Sequence, residues 1–126
     1  MLDILTLIKD TIENGVTLTE SIELGKLGTG ESLVMQVAPS GTDETFLDKS
    51  ISYELDLLFL RKSEVQTTCI NELTSIANFL RKLKTYPNTP NIEWVNSFIT
   101  TMPNFVGQEQ SGEWIYSMVV SNKLSL

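Results

Sequence analysis

Leu5, Ile8 and Ile12 recur at helical spacing near the start of the chain, with Ile4 beside them, and predict a helix over residues 2–13. Asp3 lies near the positive end of its dipole, and Asn14-Gly15 reads as its stop, because glycine accepts a left-handed backbone at a helix C-terminus. An extended piece, Thr17–Leu24, leads to the glycine-rich turn Gly25-Lys26-Leu27-Gly28-Thr29-Gly30. Leu33, Met35 and Val37 then alternate with more polar neighbours, which predicts a strand over Ser32–Val37, broken by Pro39-Ser40-Gly41. The segment Thr42–Lys49 is polar and acidic apart from Phe46 and Leu47, and reads as a long hairpin loop. The clearest strand is Ser50–Leu60, with Ile51, Tyr53, Leu55, Leu57 and Phe59 on one face and Ser52, Glu54 and Asp56 on the other.

The period returns to that of a helix over residues 64–84. Ile70, Leu73, Ile76, Ala77, Leu80 and Leu83 form its apolar stripe, with Val65, Cys69 and Phe79 at the margins. Ser63 and Gln66 match a capping box, Arg81, Lys82 and Lys84 suit the negative end of the dipole, and Tyr86–Asn91, with two prolines, ends the helix. Strands are predicted at Trp94–Thr101 and Trp114–Val120, separated by a turn region containing Pro103 and Gly107–Gly112. With no repeat or linker, residues 1–126 read as a single domain. The expected fold is a two-layer α+β domain, with a largely antiparallel sheet of four to five strands and two helices packed on one face.

Composition narrows the function. Only one cysteine, Cys69, is present, so no internal disulfide forms, and its place by an apolar stripe suggests a small buried hydrophobe. No histidine exists to activate it, or to build a Ser-His-Asp triad or a histidine metal site. A formal charge of −7 disfavours binding nucleic acid through its phosphates, which depends on Lys and Arg. The start lacks a basic, signal-like region, and the longest apolar run, Leu57–Leu60, is far too short to span a membrane. The expectation is synthesis in a reducing cytoplasm, with no membrane partner.

Three local patterns invite chemistry and fail. Lys26 in the glycine-rich turn is followed by Leu27 and a strand, whereas a phosphate loop needs Lys-Ser/Thr and then a helix. Asp43, Glu44 and Asp48 lack the spacing and central glycine of a calcium loop. Glu54 and Asp56 are neighbouring carboxylates on one strand face, with no sign of a pocket around them, and read as a wet sheet face. No catalytic, cofactor-binding or metal-ligating residue is assigned, and the chain is not expected to be an enzyme.

A second apolar set does carry information. Leu58 and Leu60 share the face of Glu54, Val34 faces away from Leu33 and Met35, and the last strand is apolar on both faces, with Ile115 and Val119 opposite Trp114, Tyr116, Met118 and Val120. Helices on one side cover only one of these sets, and a contiguous second patch usually marks a partner. Val34, Leu58, Leu60, Ile115 and Val119 are therefore the candidate subunit interface.

Taken together, these features resemble the tail-terminator or minor capsid proteins of long-tailed, siphovirus-type bacteriophages. The likeness spans almost the whole chain and rests on order and spacing: the opening amphipathic helix; the piece ending in Gly25-Lys26-Leu27; the strand ending at Pro39; Phe46-Leu47-Asp48; the Tyr53–Phe59 strand leading into a helix with Leu73, Ile76, Ala77, Phe79 and Leu80; and Pro103, Gly107-Gln108 and Gly112-Glu113-Trp114-Ile115-Tyr116 at the end. The resemblance implies a structural virion protein. Such proteins form a ring, commonly a hexamer, on the head-proximal end of the tail tube, where the ring stops tube polymerisation and docks to the head-completion complex. DNA passes through the hole without specific binding. On this reading the loop bearing Asp43, Glu44, Phe46, Leu47 and Asp48 faces a neighbouring subunit or the channel. The rivals are a head-side connector or stopper, and a non-phage intracellular adaptor that binds a partner through its sheet.

Overall fold

Leu55, Leu57 and Phe59 are fully shielded from solvent, and the strand that carries them is the centre of the fold. The structure is a computed structural model that describes residues 2–25, 27–28, 30–38, 42–45, 51–83, 86 and 93–125. Within them the element order is α1 (Leu2–Gly15), β1 (Ile22–Leu24), β2 (Ser32–Val37), β3 (Thr42–Thr45), β4 (Ile51–Ser63), α2 (Gln66–Lys82), β5 (Glu93–Gln108) and β6 (Trp114–Ser125). The sheet runs β1-β2-β4-β6-β5, and β3 pairs with β4 off that path. All pairings are antiparallel except β1 with β2, so the sheet is mixed. The fold class is α+β, with helices packed against a mostly antiparallel sheet.

Alternation decides which side is covered. Leu33 and Met35 of β2, Leu55, Leu57 and Phe59 of β4, and Met118 and Val120 of β6 join the buried residues of the helices in one core. From α1 these are Ile4, Ile8 and Ile12, one per turn; from α2 they are Cys69, Leu73, Ile76, Ala77 and Leu80. Each fully buried aliphatic or aromatic side chain contributes roughly 1.5–3 kcal/mol of transfer free energy. Glu13 ties α1 to the sheet: it pairs with Lys9 at 2.7 Å and accepts the Ile22 N–H at 3.1 Å.

Several expectations change. The first four residues of the expected Thr42–Lys49 loop are a strand, β3, paired with Ile51–Glu54. The Ala38 N–H donates to Asp56 O at 2.8 Å, so β2 and β3 are two arms running along the same side of β4. The long strand continues past Leu60 to Ser63, because Arg61, Lys62 and Ser63 pair with Tyr116, Ile115 and Trp114. Ser63 therefore ends a strand instead of capping α2. The cap position is Val65, with extended backbone and no side-chain cap bond, while Gln66 Nε2 donates to the Tyr116 hydroxyl at 2.5 Å. The α2 stripe is also rotated: Cys69 is buried in the core and Ile70 is exposed. Pro103 lies inside β5, at a break in its register with β6.

Gly15 is the last residue of α1 and does not adopt the left-handed backbone expected of a stop signal. Its reason is proximity. A Cβ there would sit 2.2 Å from the Phe79 ring of α2. Gly15→Ala is expected to destabilise the protein by about 1–3 kcal/mol as Phe79 is displaced. A thermal melt with unchanged helical circular dichroism checks this, and an unaltered midpoint would show that the ring moves freely. The turn before β2 does need positive φ, at Gly25 (128°) and Gly30 (72°).

Candidate functional site

The face away from the helices is built by the even-numbered residues of β2 and β4 and the odd-numbered ones of β6. Rows across it join Val34, Leu60 and Ser117; Gln36, Leu58 and Val119; and Lys62 with Ile115. The five candidate interface residues are thus brought together on one face. Val34 is fully buried, and Leu58, Leu60, Ile115 and Val119 are half-buried. At one end of this face Lys62 is buried too, donating to Gly28 O at 2.7 Å and pairing with Glu109 at 3.2 Å. Gly28 of the glycine-rich turn is thereby held against Lys62. Asp56 is buried on the same face and accepts the Ser121 hydroxyl at 2.6 Å, while Glu54 is cross-strand from Lys123. These two carboxylates have separate surroundings and are not a solvated acid/base pair.

Of the acidic segment, Asp43 and Glu44 lie on β3, at register positions opposite Tyr53 and Ser52. Phe46, Leu47 and Asp48 lie outside the described residues. Among the described residues no group of three metal-ligating side chains comes together, and no helix is long and apolar enough to cross a membrane. A depression of about 580 Å³ lies between the end of α1 and α2, lined by Val16, Asn78, Phe79 and Lys82 among others. Its lining carries one charged residue, Lys82, and no pair of groups suited to proton transfer. Cys69 is buried with its sulfur 3.5 Å from the carbonyls of Arg61 and Trp114, and burial pushes its thiol up from the ordinary value, which suits an inert side chain.

Among the described residues the most exposed apolar surface is elsewhere, on strand β5, an edge that within them is bonded to β6 on one side only. Val95, Phe98, Met102, Phe105 and Val106 along it are 44–55% exposed. From Trp94 to Gln108 the strand carries no charged residue. Phe105 lies across Trp114 and Tyr116, at ring-centre distances of 5.9 and 5.8 Å. Register breaks after Trp94, Ile99, Thr101 and Phe105 re-aim its side chains, which explains why apolar residues project on both sides. Alternation places a strand at Trp94–Thr101 but ends it before Pro103, and does not single out its exposed residues. The signal was the fifteen-residue run without charge, unusual in so acidic a chain.

A second unforeseen feature holds the other end of the sheet. Arg61 is completely buried on the helix-facing side of β4. Its Nε donates to Glu72 Oε1 at 2.6 Å; Nη1 donates to the carbonyls of Ser32 and Lys62; and Nη2 donates to Thr19 Oγ1 at 2.9 Å and to Glu31 Oε1 at 3.4 Å. Glu72 also accepts the Thr19 N–H and hydroxyl at 3.0 and 2.8 Å. Burial pushes the Glu72 carboxyl up, but the guanidinium and Thr19 outweigh it and hold the group below the ordinary carboxylate value. All five guanidinium donors are used, so this is a clamp joining α2, β2, β4 and the segment before β1, with no donor left for a ligand.

Compared with known proteins, the chain matches no family model and no curated protein.

Proposed function

We propose that this chain is a structural subunit of a phage virion: a tail terminator that closes into a ring, of six subunits as in the proteins it resembles, at the head-proximal end of the tail tube. There it ends tube polymerisation and joins the tail to the head. The observation that supports this best is the long, uncharged and apolar edge of β5, a surface suited to pairing with another protein chain. The partners are further copies of the chain, the tail tube protein and the head-completion or connector protein. The protein is made in the host cytoplasm and resides at the head–tail junction. With a charge of −7, a lumen built from it repels DNA phosphates and lets the genome slide.

The experiment is to add the purified protein to polymerising tail-tube protein and image the products by electron microscopy. Shortened tubes, each capped by a ring at one end, are expected. Tubes of unchanged length with bare ends would overturn the reading. A head-side connector or stopper would leave tube growth unchanged and bind the head complex instead. The β5 edge also favours a second reading, an intracellular adaptor that takes up an extended peptide as an added strand. Such an adaptor would remain a single chain in light scattering and ignore tail tubes.

A further inference from the structure

We propose that the sheet continues from one copy of this chain to the next, the edge of β5 in one copy, unpaired among the described residues, joining antiparallel to the edge of β3 in its neighbour, likewise unpaired among them. This rests on the ring reading above and names its joint. Thr42 of β3 is opposite Glu54, Glu54 is opposite Lys123, and Lys123 is opposite Asn96 of β5, so the two edges are the ends of one row across the sheet. A neighbour therefore docks with little slide along the strands. Three successive antiparallel pairings make β5 run opposite to β3, so the new joint is antiparallel as well. The longest stretch of β5 in unbroken register is Asn96–Ile99.

Charge selects the orientation. Two copies of an acidic protein repel unless unlike patches meet. On the β5 side stand exposed Arg81, in the last turn of α2, and exposed Lys123 on β6, against one exposed acid, Glu93, at the first residue of β5. Arg81 Nη2 is 2.8 Å from Met102 Sδ, which places this cation over β5 itself. The opposite edge carries Asp43 and Glu44 on β3 and exposed Glu23 on β1. Pairing β5 with β5 sets like charge against like; pairing β5 with β3 sets opposite charges together. A contact between two different patches is heterologous and generates a ring when its rotation closes. Phe98, in the middle of the four-residue run, loses its exposure at this joint.

The test uses two variants, Phe98→Lys, which alters β5, and Asp43→Lys with Glu44→Lys, which alters β3. Mass is read by size exclusion with light scattering, alone and with tail-tube protein as seed. Each variant alone is expected to stay at the single-chain mass of 14.1 kDa where the wild type forms rings. An equal mixture of the two should form a species of two chains and no larger, because each brings one intact edge. If both variants keep the ring mass, or the mixture forms no two-chain species, the joint is overturned while the ring stands. A wild type that remains a single chain even with tail tubes overturns the ring reading and the joint together. Amide exchange on wild-type protein needs no variant: Asn96–Ile99 and Thr42–Thr45 should gain at least about tenfold protection together on assembly, as paired strands do. Protection confined to other segments would overturn the joint.

Discussion

Glu72→Ala is expected to destabilise this protein by about 3–5 kcal/mol, because it leaves a buried guanidinium without its counter-charge. Arg61 is fully buried and Glu72 nearly so, and the carboxylate is the nearest acceptor to Arg61 Nε, at 2.6 Å. The same change strands the Thr19 N–H and hydroxyl, which loosens the segment leading into β1. For a chain of this length the loss corresponds to a fall in melting temperature of roughly 10–20 °C. In a double-mutant cycle with Arg61→Met and Glu72→Leu, a coupling energy on the order of 1–3 kcal/mol is expected. A single-variant melt within about 2 °C of wild type would show that the clamp holds nothing.

The clamp also sets the acid limit of the fold. The Glu72 carboxyl is held below its ordinary value of 4.5. Glu31 is likewise held down: burial raises it, but the Glu64 N–H, the Ser63 hydroxyl and Arg61 outweigh that. A carboxyl whose folded-state pKa is depressed contributes stability that is fully present above its unfolded value and is lost as the pH falls through the folded one. Stability is therefore expected to be level above about pH 5 and to decline steeply below about pH 4.5. Glu72→Gln should be less stable at neutral pH and show a shallower decline in acid. Parallel acid-unfolding curves for the two proteins would remove Glu72 from this account.

What was legible beforehand follows from how each element earns its burial. α1, α2 and the core of β4 bury mainly one side, so their periods of 3.6 or 2 stand out in the residue pattern; β2 shows the alternation of Leu33 and Met35 although Val34 is buried on its other face. The end of β4 was not legible, because Arg61 and Lys62 look like solvent-seeking residues; they are buried through partners such as Glu72, Ser32 and Glu109, 11–47 positions away in sequence. β3 was hidden for the opposite reason, since Thr42–Thr45 has no apolar residue to mark it and is a strand only because β4 offers a free edge. The five residues of the second sheet face were legible as a set, because alternation places them. The burial of Lys62 beside them was not, because it depends on the lysine reaching the Gly28 carbonyl, 34 positions away in sequence. The exposed residues of β5 escaped because register breaks spoil alternation, and only the absence of charge betrayed them.

The second large effect is expected at the start of that edge. Trp94→Ala removes one of the largest buried side chains and should destabilise the protein by about 3–5 kcal/mol. The ring lies 4.8 Å from that of Tyr86, which in turn donates its hydroxyl to Leu80 O, so Trp94 fastens β5 to the end of α2. Its Nε1 donates to Ser97 Oγ at 2.9 Å; Ser97 donates to Asn122 Oδ1 at 2.6 Å; and Asn122 donates to Leu55 O at 3.2 Å. That chain runs from the edge strand through β6 to the central strand, beneath the Asn96–Ile99 stretch. Trp94→Phe keeps an aromatic ring but removes the indole N–H and part of the packed volume, and should lose about 1–3 kcal/mol, less than Trp94→Ala. Well below its melting temperature, Trp94→Ala should speed amide exchange in β5 more than in β4, and weaken assembly more than its global stability accounts for. Uniform acceleration across the sheet, with assembly unchanged, would mean that Trp94 supports the core alone and does not present the edge.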